Sequence, residues 1–135
     1  MRICFAVLLA ILVSGCASTP PAPVTPHYAT LQDYLIANHR DLTTYYRHTD
    51  PDKLMQCYAD SAVRTIPPEL QPAVLAVANK SAAGETLSPS EADLKAQWLD
   101  ARPRPIGENE IDVSSPRALD ILRDIATTCW VARVN

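Results

Sequence analysis

Glycine is scarce in this chain: 135 residues hold three, Gly15, Gly84 and Gly107. They lie too far apart to form a glycine-rich loop around a phosphate, and no serine sits in a Gly-x-Ser-x-Gly elbow. Histidine is equally scarce. His27, His39 and His48 make no His-x-x-x-His or Glu-x-x-His pair, so neither a metal site on one helix face nor a cofactor is expected. No Cys-x-x-Cys occurs, which sets thiol redox catalysis aside. His39 with Arg40 and Asp41 suggests an acid–base cluster, but residues two apart on a helix do not face each other. These three read as a solvated face. Asp50/Asp52 and Glu108/Glu110 read as helix capping and loop solvation. No catalytic residue emerges, and an enzyme is not the expected class.

A long apolar run is also missing. The longest, Ile3 to Val13, makes roughly 16 Å of helix at ~1.5 Å per residue, too short for the ~30 Å core of a bilayer. It follows Arg2 and ends in small residues, which together read as a secretory signal. Without Arg2 the twelve basic residues become 11 against 15 acidic ones, a formal charge of −4. A mildly acidic chain with no basic run argues against nucleic acid, and against anionic lipid head groups, as partners.

Val13-Ser14-Gly15-Cys16 closes that signal. The tetrad resembles the lipobox of bacterial lipoproteins, an aliphatic residue and two small ones before a cysteine. The resemblance covers the first sixteen residues and implies cleavage between Gly15 and Cys16. It also implies diacylation of the Cys16 thiol, with acylation of the new amino group. Two or three acyl chains anchor far more firmly than one. The next residue is Ala17 rather than Asp, which in that family implies sorting to the outer membrane, facing the periplasm.

Four cysteines are present. Cys4 leaves with the signal and Cys16 carries lipid, so Cys57 and Cys129 remain. Two cysteines in an exported chain suggest one disulfide. It would close roughly 72 residues and stabilise by about 4 kcal/mol in the chain-entropy model. Two free thiols, or a bridge from Cys57 to another protein, are the alternatives. The tension is geometric: Cys129 falls on the apolar half of its helix, whereas Cys57 falls opposite the apolar face of its own. The pair forms only if that helix is covered on two sides.

Residues 16–28 read as a tether after Cys16, with four prolines at 20, 21, 23 and 26. In an extended polyproline form it reaches roughly 30 Å at ~3.1 Å per residue. From residue 29 to 135 the pattern is helical. Thr30 to Asp33 forms a capping box with Asp in the last place. Leu31, Tyr34, Leu35, Leu42, Tyr45 and Tyr46 share an apolar arc of about 120° with Asn38 in its middle, so either Asn38 is buried with partners or the helix breaks near Asn38 to Asp41. Asp50-Pro51 caps a second helix whose face holds Leu54, Met55, Tyr58, Ala59, Ala62 and Val63. Ala73 to Ala78 is apolar on all sides and reads as a short buried helix. Ser81 to Gly84 reads as a turn. Ser88-Pro89-Ser90-Glu91 is a full capping box opening a helix to about Ala101, with Leu94 and Trp98 one turn apart. Residues 102–114 read as an irregular connection. Ser115-Pro116 opens the clearest helix, apolar at Ala118, Leu119, Ile121, Leu122, Ile125, Ala126, Cys129 and Trp130, polar at Arg117, Asp120, Arg123, Asp124, Thr127 and Thr128. Trp98 and Trp130 read as core, with an exposed partner-binding groove as the alternative.

The expected fold is therefore all-α, an irregular bundle of four or five short helices with the last helix central and one disulfide. The expected role is a non-catalytic binding or assembly factor held at the envelope membrane, with an envelope protein as partner. The architecture resembles the small helical pilotins of secretion systems in size, anchor, helicity and cysteine number. That implies binding a partner helix in a groove. An anchored chaperone or small-ligand carrier fits the same features; an open apolar groove favours the first reading and a closed cavity the second.

Overall fold

The structure is a computed structural model that describes residue 22, residues 24–47 and residues 49–129. It is all-α apart from one minimal hairpin. Five helices follow in order: α1 (Leu31–Asn38), α2 (Pro51–Arg64), α3 (Gln71–Ala82), α4 (Pro89–Lys95) and α5 (Pro116–Thr128). A 3₁₀ turn (Arg40–Thr44) follows α1, and a π turn (Ala96–Asp100) continues α4.

The helix starts obey the local chemistry. Asp50 Oδ1 accepts from the N–H groups of Asp52 and Lys53, at 3.0 and 3.2 Å, with Pro51 in the first helical position. Ser115 accepts from Ala118 at 3.0 Å ahead of Pro116. At α4 the box is reciprocal, since Glu91 N–H donates to the Ser88 hydroxyl and Ser88 N–H to the Glu91 carboxylate. Each satisfies backbone donors that a helix leaves orphaned. Thr30 caps α1 through the Asp33 N–H, and α1 ends at Asn38. The interruption expected near Asn38 to Asp41 is the switch from α1 to the 3₁₀ turn. At the far end of α3, Gly84 takes φ of 70°. This lets Glu85 N–H return to the Lys80 carbonyl and Gly84 N–H to that of Ser81, closing the helix with a left-handed residue that glycine adopts at little cost.

The core is built around α2. Leu54, Met55, Tyr58, Ala59, Ser61, Ala62 and Val63 are all buried, and at 100° per residue they occupy an arc of about 200°. α1, the 3₁₀ turn and α5 all pack on α2, while α3 packs on α1 and α4 on α3. The last helix is therefore not central. α5 buries Ala118, Ile121 and Ile125, a stripe that covers one flank of α2.

That second covered flank resolves the cysteine tension. Cys57 lies beside Ser61 and Arg64 on the edge of α2 that meets α5. The structure brings it together with Cys129 at a Cα separation of 6.2 Å, within the range of a disulfide. Cys129 caps the end of α5, half-buried and packed against the core.

Two further expectations are corrected. Residues 102–114 hold an antiparallel hairpin, β1 (Arg104–Pro105) with β2 (Ile111–Asp112), pairing Arg104 with Asp112 and Pro105 with Ile111. Beside it Pro103 is buried, and β1 packs on the 3₁₀ turn. α3 is a full three turns, and its Ala73 and Ala76 face solvent while Val74, Val77 and Ala78 are buried. Helical structure does run on from α4 through Asp100, but in a wider turn: Ala101 N–H bonds the carbonyl of Ala96, five residues back, at 3.1 Å. Lys95 Nζ lies 2.8 Å from both carboxylate oxygens of Asp100 across that turn, and Leu99 enters the core. Just ahead of α1 the chain is tied to α3. Tyr28 N–H donates to Asn79 Oδ1 at 2.7 Å, and Asn79 Nδ2 donates to the Tyr28 carbonyl at 3.0 Å.

Candidate functional site

α5 carries more apolar surface than α2 can cover. Ala118, Ile121 and Ile125 meet α2, which leaves Leu119, Leu122 and Ala126 on the outer side of the same half. Those three form one wall of a groove open to solvent, of about 430 Å³. Tyr45 and Tyr46, just beyond the 3₁₀ turn, supply another wall, with their rings edge to face at 4.8 Å. Ile111 of β2 and Val113 after it complete the lining, and Arg123 and Thr127 sit at the rim. The unpredicted hairpin is thus what turns an exposed helix face into a groove.

Exposed apolar side chains concentrate here. Beyond Val24 in the tether, the large ones among the described residues are Ile106, Val113 and Leu119, at 62, 36 and 45 % exposure. All three lie on the hairpin segment or α5. Single exposed apolar residues need no explanation, but a cluster rimmed by polar groups is the usual mark of an interaction surface.

A buried polar pair sits behind the groove's supports. His39, at the junction of α1 and the 3₁₀ turn, is 6 % exposed. Its Nδ1 shares a 2.8 Å hydrogen bond with the buried hydroxyl of Tyr58. The sequence places His39 on a solvated face, and the structure overturns that: ending α1 at Asn38 turns the ring inward. Burial pushes the imidazole down to about 3, and Arg102, Arg104, Arg117 and Lys95 act in the same direction. Burial likewise pushes the Tyr58 phenol up. A neutral imidazole bonded to a neutral phenol is a structural arrangement, and Arg40 and Asp41 point elsewhere, to Asp52 at 2.8 Å and Arg102 at 3.0 Å.

Arg117 is the second residue the helical projection misplaces. It starts α5 on the polar half, yet it is half-buried and donates to the carbonyls of Ala62, at 3.0 Å, and Ala101, at 2.9 Å. Its guanidinium lies 5.6 Å from the ring centroid of Trp98. The cation thus satisfies a carbonyl in the last turn of α2, where the helix dipole favours positive charge, and stacks on an aromatic face. Burial lowers its pKa from the ordinary guanidinium value. Trp98 packs against the core as expected, although its buried Nε1 has no hydrogen-bond acceptor among the described residues.

The remaining candidates separate. Cys57 and Cys129 meet at a second open cavity, of about 410 Å³, lined also by Lys53, Asp60 and Arg64. Asp50 caps α2 while Glu108 pairs with Arg47 at 2.9 Å, and Glu108 and Glu110 are both exposed. His27 is exposed in an irregular segment. Gly15, Cys16, His48 and Trp130 lie outside the described residues. Among the described residues, no group of three His, Cys, Asp or Glu side chains is placed to hold a metal ion, and no helix is long and apolar enough to cross a membrane. The groove residues Tyr45, Tyr46, Ile111 and Val113 were not singled out as a site by sequence. Tyr45 and Tyr46 stood in the sequence as part of the apolar arc begun by Leu31, and Ile111 and Val113 as apolar residues of an irregular connection. No protein family, curated protein or solved structure matches the chain.

Proposed function

We propose that this chain is a lipid-anchored lipoprotein of the bacterial outer membrane, whose helical domain works without catalysis as a binding or assembly factor on the periplasmic side. The observation that carries the reading is Val13-Ser14-Gly15-Cys16 directly after a charged start and a short apolar run. Cys16 is the lipid site. A disulfide-distance pair accords with an oxidising compartment. The groove on α5 supports a protein partner over an enclosed ligand, because it opens along a helix face. Its placement suits presentation as well. The tether enters at Tyr28, which is held by Asn79 of α3, whereas the groove lies on α5 across α2.

The test has two parts. Metabolic labelling with an alkyne fatty acid should mark the protein and fail on Cys16→Ala; an unlabelled wild type overturns the anchor. Tagged protein is then recovered from mildly cross-linked, detergent-solubilised membranes. One envelope protein at near-stoichiometric yield, lost with Cys16→Ala, supports the assembly role. Recovery of no specific partner in either preparation overturns it.

A further inference from the structure

We propose that the Cys57–Cys129 disulfide is a thiol-exchange site, and that it works as a releasable clamp on the last turn of α5. Three observations converge on it. First, the hold on α5 is uneven along its length. Its buried residues, Ala118, Ile121 and Ile125, the Arg117 bonds to Ala62 and Ala101, and the Arg64–Asp124 ion pair with α2 all lie at or before Ile125. Beyond Ile125, Thr127 and Thr128 turn their hydroxyls back onto carbonyls of α5 itself, those of Arg123 and Asp124. Among the described residues, the disulfide is the bond that ties this turn to α2. Second, the bridge is reachable. Both cysteines are half-buried and line a cavity open to solvent. Third, Lys53 lines that cavity with Asp60 and with Arg64, which is paired with Asp124, and a nearby cation such as Lys53 favours the thiolate over the thiol, so it favours a cysteine as leaving group.

The chemistry needs a dithiol reductant. One of its thiolates attacks a sulfur of the bridge, and the S–S electron pair leaves on the other cysteine, which takes a proton from water. The reductant's second thiolate then attacks the mixed disulfide and releases the remaining cysteine. Two electrons pass from the dithiol, which ends as a disulfide, to the bridge, which ends as two thiols. Released, the last turn frays while α2 and the start of α5 stay packed. Ala126 and Thr127 of the groove lie on that turn, so release also alters the groove. That consequence rests on the binding role proposed above; the clamp itself does not.

The experiment uses the full-length lipidated protein in detergent, with dithiothreitol as the reductant and no partner present. Thiols are counted by a maleimide–polyethylene glycol gel shift, and backbone amides are followed by hydrogen exchange. The bridge should be reduced in buffer within about tenfold of its rate in urea, as expected of an accessible disulfide. Reduction should cost residues 126–128 about 100-fold or more in protection and leave α2 protected. Cys129→Ser should reproduce that pattern without reductant. A bridge that resists dithiothreitol until the domain unfolds overturns the proposal. So does loss of protection spread evenly over α2 and α5, or a Cys129→Ser chain that does not fold, either of which makes the bridge a plain staple. A failed co-purification leaves these readouts unmoved, so the two readings fail separately.

Discussion

α2 and α5 look alike in sequence and differ in what surrounds them. They span 14 and 13 residues, and each opens with a capping side chain followed by proline. Yet α2 buries seven residues over more than half its circumference, and α5 buries three along one stripe. The cleaner amphipathic pattern belongs to the peripheral helix. A helix covered on one side separates apolar from polar residues sharply, whereas one covered on two sides must also bury Ser61 and half-bury Cys57, which blurs the separation. Sharp periodicity therefore reports a surface position, and a blurred one can mark the centre.

The largest test of this contrast is Leu54→Ala, at a fully buried site of α2. We expect a loss of about 3 kcal/mol in urea unfolding, the transfer and cavity cost of a core leucine. A loss under ~1 kcal/mol, within the range of an ordinary substitution, would remove α2 from the centre of the core.

Acid should come next, because His39 and Tyr58 join α1 to α2. The folded imidazole titrates near 3, below its ordinary 6.5, so on acidification the unfolded chain takes up the proton first. This part of the stability is complete above about pH 6.5 and is lost progressively from there toward pH 3, on the order of 2 kcal/mol by pH 5. Thermal unfolding of His39→Gln, measured from pH 7 to 5, should show a flatter pH dependence than the wild type. Equal slopes would mean that His39 does not stay neutral in the fold.

Arg117 bridges the two helices, so Arg117→Lys should cost about 1–2 kcal/mol through loss of its paired carbonyl bonds and its stacking on Trp98. The same variant should shift tryptophan fluorescence; an unchanged spectrum and stability would detach Arg117 from that role. Smallest of all, Leu119→Ser on the open face of α5 should change stability by less than ~0.5 kcal/mol. It should still reduce recovery of any groove-bound partner in cross-linked membranes. Undiminished recovery would move the binding surface elsewhere.

Legibility in the sequence tracked how local the determining physics is. Thr30, Asp50, Ser88 and Ser115 announced four helix starts, because a cap is a matter of three or four neighbouring residues. Gly84 marked a helix end for the same reason. The hairpin around Arg104 and Ile111 left no such mark. Each strand has two residues, too few for alternation to register, and one contains a proline. His39 and Arg117 were misplaced by a projection that treats each helix as straight, uninterrupted and covered on one side. The groove was half legible. Leu119, Leu122 and Ala126 could be assigned to the apolar half of α5, but not separated from Ile121 and Ile125, which α2 takes.

By itself, then, the sequence determined the all-helical class, the helix starts and the pair of cysteines available for bridging, and it carries the Val13-Ser14-Gly15-Cys16 tetrad on which the proposed anchor rests. Each of these is a pattern within a short stretch of chain. The tertiary structure decided that α2 and not α5 is central, that Cys57 reaches Cys129, that His39 and Arg117 turn inward, and that an apolar face stays open. Those outcomes depend on which surfaces meet across 16 to 72 residues of chain, where burial is shared between elements and no single helix carries the instruction.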